Sequence, residues 1–244
     1  MVDVGAVIPA AGFGKRMGVG FNKQFLTLAG LPILAHTLRV FQLSEVITEV
    51  VVVGSKDDIP RITEIVKNEQ FNKVVAIPIG GSQRQDSVFA GVQALSSSIQ
   101  RVVVHDGARP LLTLHHLNRF LEDSEGFSAA IMAIPLKDTI KRITETGLVI
   151  ETPPREFLRS VQTPQVFERA VLEKVHRNAL EQGFYGTDDA SLFERLGYPV
   201  VVLEGSLENI KITTPEDLWL AEHIMAMRDA RCTRHDARST KMET

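Results

Sequence analysis

Apolar and polar positions fall into two kinds of block along the chain. Short, nearly continuous apolar runs occur at 4–8, 49–54, 73–79, 101–105 and 128–135. Between them, apolar residues recur three and four apart. In 32–43 Ile33, Leu34, Leu38 and Phe41 share one side; in 58–68 Ile59, Ile62, Ile65 and Val66 do so. Segments 84–95 and 114–122 also read as helices. Continuous runs mark strands buried on both faces, and the 3.6-residue period marks the helices that cover them. Their alternation predicts an α/β fold: a Rossmann-like, mostly parallel sheet with helices on both faces. Ligands bind such sheets at the carboxyl ends of the strands.

The alternation breaks after residue 135. Residues 137–160 read as a polar–apolar two-stranded ribbon, turning at Glu145-Thr146-Gly147 and closed by Pro153-Pro154-Arg155. A lone hairpin is marginal in water. This protruding β-arm is therefore expected to pack on a partner subunit and dimerise the protein; a flap over its own site is the alternative. Regular structure resumes with Val161-Gln162-Thr163-Pro164-Gln165, helices at 169–182 and 188–196, and strands at 198–203 and 208–212. Thr214-Pro215-Glu216-Asp217 starts a helix, with an N-cap threonine, proline at the first position and acids in the first turn. That helix is expected to end near Met227. Residues 1–227 then form a single domain, and the tail 228–244, with five cations and three acids, is expected to be disordered.

The candidate chemistry lies on the ligand edge. After the first strand comes Pro9-Ala10-Ala11-Gly12-Phe13-Gly14-Lys15-Arg16, and Lys23 follows; no acid occurs between Asp3 and Glu45. Proline ends the ladder, and the small residues let backbone N–H groups approach a ligand. A polyphosphate needs such a loop with cations beside it; an ordinary glycine turn is the bland alternative. Ala10, Ala11, Gly12, Gly14 and Lys15 are nucleotide-binding candidates on this ground. The loop is not a P-loop, because Pro9 replaces the first glycine and Arg16 the hydroxyl residue. Nor is it a dinucleotide fingerprint, since Met17 takes the place of the third glycine. Gly80-Gly81-Ser82, with Arg84 and Ser87 beyond, can hold a base or ribose or simply cap a helix. Asp106 stands where a metal-bound phosphate would lie, with Mg²⁺ as the expected mediator. The alternatives for Asp106 are a pair with Arg109 or a turn cap.

A net charge of −3 argues against a nucleic-acid protein. The single cysteine, Cys232, excludes an intramolecular disulfide and suits the cytoplasm. The N-terminus leads directly into a strand, so no signal peptide is expected. No apolar run approaches the roughly 20 residues of a membrane span.

The Pro9-Ala10-Ala11-Gly12 loop with Arg16 and Lys23 resembles the signature of sugar-nucleotide pyrophosphorylases and related nucleotidyltransferases. Further motifs follow in order: Gly80-Gly81 with Arg84 and Ser87-Val88, His105-Asp106-Gly107-Ala108-Arg109-Pro110, Lys137-Asp138-Thr139, Thr163-Pro164-Gln165, Thr187-Asp188-Asp189-Ala190-Ser191 and Asn209-Ile210-Lys211. The set resembles the 2-C-methyl-D-erythritol 4-phosphate cytidylyltransferase family. Ser82 stands where some members carry an acid, and Gly107 where alanine is frequent. The resemblance implies transfer of a cytidylyl group from CTP to 2-C-methyl-D-erythritol 4-phosphate, with release of pyrophosphate, in non-mevalonate isoprenoid biosynthesis. It implies Arg16 and Lys23 as the catalytic pair and Lys211 on the α-phosphate. Ala10, Ala11, Gly81, Ser82 and Ser87 match its cytosine and ribose positions. Thr139 and Arg155 on the partner's arm, helped by Arg109 and Thr163, would bind the acceptor, so a homodimer is expected. A ribitol-5-phosphate cytidylyltransferase shares fold, loop and chemistry, and a non-catalytic nucleotide-sensing module is the rival of another class.

Overall fold

The computed structural model describes residues 3–12 and 22–239, with side chains through Ala230. Gly14, Lys15 and Arg16 lie outside the described residues. The chain enters through β1 (Val4–Pro9), every residue of which is buried. It re-enters at a 3-10 turn, Lys23–Phe25, and continues through β2 (Thr27–Leu28), β3 (Leu31–Pro32), α1 (Ile33–Leu43), β4 (Ile47–Val53), α2 (Ile59–Asn68), β5 (Val74–Ala76), α3 (Arg84–Gln93), β6 (Arg101–Val104), α4 (Leu114–Asp123) and β7 (Ala129–Pro135). A short hairpin follows, β8 (Arg142–Ile143) and β9 (Val149–Glu151). Then come β10 (Arg159–Glu168), α5 (Arg169–Glu181), α6 (Ala190–Arg195), β11 (Val201–Glu204) and α7 (Pro215–Ser239).

Among the described residues one seven-stranded sheet has the order β11-β7-β10-β6-β1-β4-β5. The pairs β1–β4, β1–β6, β4–β5 and β7–β11 are parallel, and β10 runs antiparallel between β6 and β7. Helices cover both faces. On one, Leu34, Leu38 and Phe41 of α1, Ile62 of α2 and Phe120 of α4 pack on Ala6, Ile8, Val50 and Val52. On the other, Val88 and Val92 of α3, Leu172 and Val175 of α5 and Phe193 of α6 pack on Val7, Val51 and Val104. Alternate residues of β1 and β4 thus serve opposite layers, which is why these strands read as unbroken apolar runs. The mostly parallel α/β sheet expected from the sequence is present. No helix among the described residues is long and apolar enough to cross a membrane.

Three expectations are corrected. Residues 208–212 form no strand. Their backbone is held by the loop after β6: Ile212 N–H donates to Ala108 O (2.9 Å), and Asn209 O accepts from Arg109 Nη1 (2.8 Å). Helix α7 does not end near Met227 but continues to Ser239. Nothing in 228–239 is proline or glycine, and Arg228 ties the helix to the body through Glu208 Oε2 (2.8 Å) and Leu111 O (2.9 Å). The ribbon is shorter than its alternation suggested, and Arg159 and Ser160, at its expected end, already pair with β7. Gly147, at φ +84°, makes its turn.

Strand β10 carries polar residues into the interior, and its register with β7 shifts between Val161 and Gln165. Thr163 is thereby set beside the end of β6. The Asp106 N–H donates to Thr163 Oγ1 (3.0 Å), which lies 3.1 Å from His105 Nδ1. His105 Nε2 lies 3.1 Å from the Arg109 carbonyl. A carbonyl can only accept, so Nε2 carries the proton, and Nδ1 takes the Thr163 hydroxyl proton. The chain Asp106 → Thr163 → His105 → Arg109 closes with every donor matched.

His105 is fully buried, and burial pushes its pKa down to about 4, outweighing the bonds to Arg109 and Thr163. Below the unfolded value of 6.5 the unfolded chain binds a proton that the folded one refuses. Stability is therefore complete above that value and falls as pH drops toward 4. Between pH 7 and 4.5 the loss from this group is about 2–3 kcal/mol. Urea unfolding of wild type and His105→Gln at both pH values measures it. The variant is expected to lose correspondingly less on acidification, and identical pH slopes would exclude His105 as the source.

Candidate active site

The parallel strands β1, β4, β5 and β6 all deliver their carboxyl ends to one cavity of about 650 Å³. Ala11, Gly12, Lys23, Gly81, Ser82, Ser87, Asp106 and Lys211 line it, as the sequence led one to expect. Gln24, Ser55, Lys56, Gln83 and Arg84 line it as well.

Ala10 lies behind the wall rather than on it. Its N–H donates to Val53 O (2.7 Å) and its carbonyl accepts from Asn22 Nδ2 (2.7 Å). The sheet ladder thus extends one residue past Pro9, and Asn22 clasps the point where the loop began. The Asn22 side-chain oxygen also accepts from Gln24 N–H, capping the 3-10 turn that carries Lys23. Sequence reasoning missed Asn22; an asparagine directly before a Lys-Gln-Phe turn was the available signal. It also missed Gln24, a buried residue packed against Gly107. A Cβ at position 107 would sit 2.8 Å from Gln24 Oε1, so glycine there leaves this side chain its place.

Ser82 and Ser87 serve two roles. Both face the cavity, while Ser82 Oγ donates to Asp86 Oδ2 (3.1 Å) and Ser87 Oγ to Gln83 O (3.1 Å). Asp86 also accepts from Gln83 N–H (3.0 Å), so the start of α3 is capped by the segment that forms the cavity wall.

Asp106 is the one carboxylate among the described lining residues. Oδ1 accepts from Arg84 Nε (3.2 Å), Oδ2 from Lys211 Nζ (2.7 Å), and Arg109 Nε stands 3.9 Å from Oδ2. Burial alone would raise its pKa; Arg84, Lys211 and Arg109 outweigh burial and hold it well below the usual carboxylate range. Asp106 is thus paired with three cations, not with Arg109 alone. Arg109 itself is largely buried, anchored on Asn209 O, and does not line the cavity. Thr163 is buried behind Asp106 and orients it from within. Thr139 and Arg155 sit exposed on the arm, where Arg155 Nη1 donates to Lys137 O (2.9 Å), and neither lines this cavity.

Lys23, Lys56, Arg84 and Lys211 line the cavity with a single carboxylate among its described lining residues, a charge balance suited to a polyphosphate. No group of three or more His, Cys, Asp or Glu side chains gathers to hold a metal among the described residues. Mg²⁺, however, is usually bound through one or two carboxylates plus substrate phosphates. The lone Asp106 fits that donor set only when a nucleotide supplies the remaining oxygens.

A family model described as IspD, 2-C-methyl-D-erythritol 4-phosphate cytidylyltransferase, matches residues 4–227. The chain is 48% identical over 230 residues to the protein of that name from Halalkalibacterium halodurans, covering 94% of this chain and 100% of the relative. A namesake from Desulforamulus reducens is 44% identical, covering 95% and 100%. A solved 4-diphosphocytidyl-2C-methyl-D-erythritol synthase from Anaerococcus prevotii superposes with a TM-score of 0.82 at 31% identity, over 92% of this chain and 96% of that one. The fold, the cationic cavity and these likenesses agree: the chain belongs to the 2-C-methyl-D-erythritol 4-phosphate cytidylyltransferase family.

Proposed function

We propose that this chain transfers the cytidylyl group of CTP to 2-C-methyl-D-erythritol 4-phosphate, releasing pyrophosphate, as a step of non-mevalonate isoprenoid biosynthesis in the cytoplasm. The observation that carries the reading is the cavity wall, where Lys23, Arg84 and Lys211 line a space of about 650 Å³ together with ionised Asp106. An acceptor phosphate oxygen attacks the α-phosphorus in line. The bond from that phosphorus to the bridging oxygen breaks, and the electron pair leaves with pyrophosphate. Little covalent work falls to the protein, so positioning and charge neutralisation dominate.

Lys211 reaches the α-phosphate by exchanging its bond to Asp106 Oδ2 for one to the nucleotide. Lys23, together with Arg16 outside the described residues, neutralises charge on the leaving group. Gly81, Ser82 and Ser87, with Ala11, form the base and ribose side, and Gly12, Gly14 and Lys15 the phosphate loop. Asp106 would hold Mg²⁺ with phosphate oxygens, and the ion, when bound, supplies further neutralisation of the triphosphate. Arg109 and Thr163 support the acceptor side from behind. The arm supplies Thr139 and Arg155 to the partner's site in a two-fold homodimer. Ile143, Leu148, Val149, Ile150 and Phe157 are exposed on it, Phe157 at 80%, and such a surface calls for a cover.

Pyrophosphate release with CTP and methylerythritol phosphate tests the reaction. Turnover is expected with CTP and not UTP, with methylerythritol rather than ribitol phosphate, and only with a divalent cation; full activity in excess EDTA would remove Asp106 from metal binding. Lys23→Ala is expected to lower kcat about 10²–10³-fold with KM for CTP little changed, as for loss of an oxyanion donor. Near-wild-type turnover would end its catalytic assignment.

The arm is tested by mixing Arg155→Ala chains with Lys23→Ala chains. Each homodimer is expected to be nearly inactive. With shared sites, half the dimers in a random mixture are mixed and half their sites intact, so activity returns to about one quarter of wild type. No recovery despite demonstrated subunit exchange would make the arm a flap on its own chain.

A further inference from the structure

The motif Thr187-Asp188-Asp189-Ala190-Ser191 takes no part in the site as described so far. Asp188 has a local task. Its Oδ1 accepts from Ser191 N–H (3.0 Å) at the start of α6, and Oδ2 accepts from Gln165 Nε2 (2.7 Å) on β10. Asp189 differs. It is 1% exposed, lies outside the cavity lining, and its Oδ2 accepts from Arg84 Nη1 at 2.7 Å. Its Oδ1 lies 3.3 Å from Nε2 of buried His176, without hydrogen-bond geometry, and His176 stacks on Phe89 with ring centroids 5.3 Å apart. Arg84 holds one oxygen of Asp189, and His176 stands beside the other.

Arg84 therefore spans two carboxylates, Asp189 behind the wall and Asp106 in front of it. A guanidinium is a rigid planar fork. Nη1 is held on Asp189, and in this position the guanidinium meets Asp106 through Nε at Oδ1. Oδ2 is left to Lys211. Freed from Asp189, Arg84 can close on both oxygens of Asp106 as a bidentate pair, the favoured arginine–carboxylate geometry. That closure would occupy the oxygen on which Lys211 rests and alter the wall that meets the nucleotide.

We infer that Asp189 is a positioning residue for the nucleotide phosphates: by holding Nη1 of Arg84 from behind, it keeps that guanidinium on Asp106 Oδ1 and leaves Oδ2 to Lys211, whose ammonium can exchange between that oxygen and the bound substrate. The inference rests on the reading of the Asp106–Lys211 wall as the phosphate site. It assigns the second carboxylate of the Asp-Asp motif a function through a residue 105 positions away in sequence.

The test compares Arg84→Gln, Asp189→Asn, their double variant, and Gln85→Met. Gln85 ties α3 to residues 184–186 through Phe184 O (3.1 Å) and Gly186 N–H (2.9 Å), so its loss loosens the same contact without touching Arg84. Asp189→Asn is expected to raise KM for CTP about tenfold, and the double variant to be no worse than Arg84→Gln, because residues acting as one unit are non-additive. Gln85→Met is expected to lower Tm with KM unchanged. Unchanged KM in folded Asp189→Asn, or additive losses in the double variant, would overturn the inference. Full activity in Arg84→Gln would instead overturn the phosphate-wall reading beneath it. Side-chain NMR of the wild-type, nucleotide-free protein stands even where Asp189→Asn does not fold. Two resolved Nη signals for Arg84 are expected from a pinned guanidinium, and one averaged signal would overturn the inference.

Discussion

A buried, ionised carboxylate organises this molecule's ligand edge. Taking Asp106 out of water costs several kcal/mol unless the charge is met nearby, and three cations meet it. Each comes from a different stretch: Arg84 from the first turn of α3, Arg109 from the loop after β6, and Lys211 from the segment before α7. One charge thereby fastens three parts of the chain that are far apart in sequence. Arg84 and Lys211 line the cavity as well as meeting Asp106. Charges fixed in place in this way are where enzymes gain most over water.

Much of this architecture was readable from one sequence. The valine-rich β1, β4 and β6 are buried on both faces, and their alternation with amphipathic helices points to a central parallel sheet. The helices α1 and α2 showed their covered sides at regular spacing. Part of the cavity lining was legible for the same reason: the small residues after β1, the glycines before α3 and Asp106 after β6 fall on the carboxyl edge, whereas Lys211 was reached only through the family resemblance.

What stayed hidden has a common cause. Strand β10 reads Gln162-Thr163-Pro164-Gln165 where an interior strand would be expected to be apolar, and proline argues against a central strand. Its polar groups meet partners distant in sequence: Gln162 Nε2 meets Ser206 O, Thr163 meets His105 and Asp106, and Gln165 Nε2 meets Asp188. Periodicity reports solvent and core, and it is silent on which polar group meets which. Residues 208–212 misled in the opposite sense. Their alternation suits a strand, but the loop after β6 captures their backbone first. Asn22 was missed, and Asp189 was named in its motif without a role, because their importance lies in single hydrogen bonds to Ala10 O and Arg84 Nη1.

The arm leaves the sheet at the end of β7 and rejoins it at β10, and these two strands are neighbours paired from Pro135 and Arg159 inward. Its two roots are thus stitched together by the sheet itself, whatever the tip contains. Residues 137–158 contribute no strand to the seven-stranded sheet and no residue to the buried core clusters, so changes there leave the register of that sheet and the packing of its layers in place. The cavity side of the molecule, by contrast, is woven from core strands. The chain thus has two parts of unequal structural freedom: a body whose strands carry the cavity, and an extension whose sequence the body's packing does not constrain.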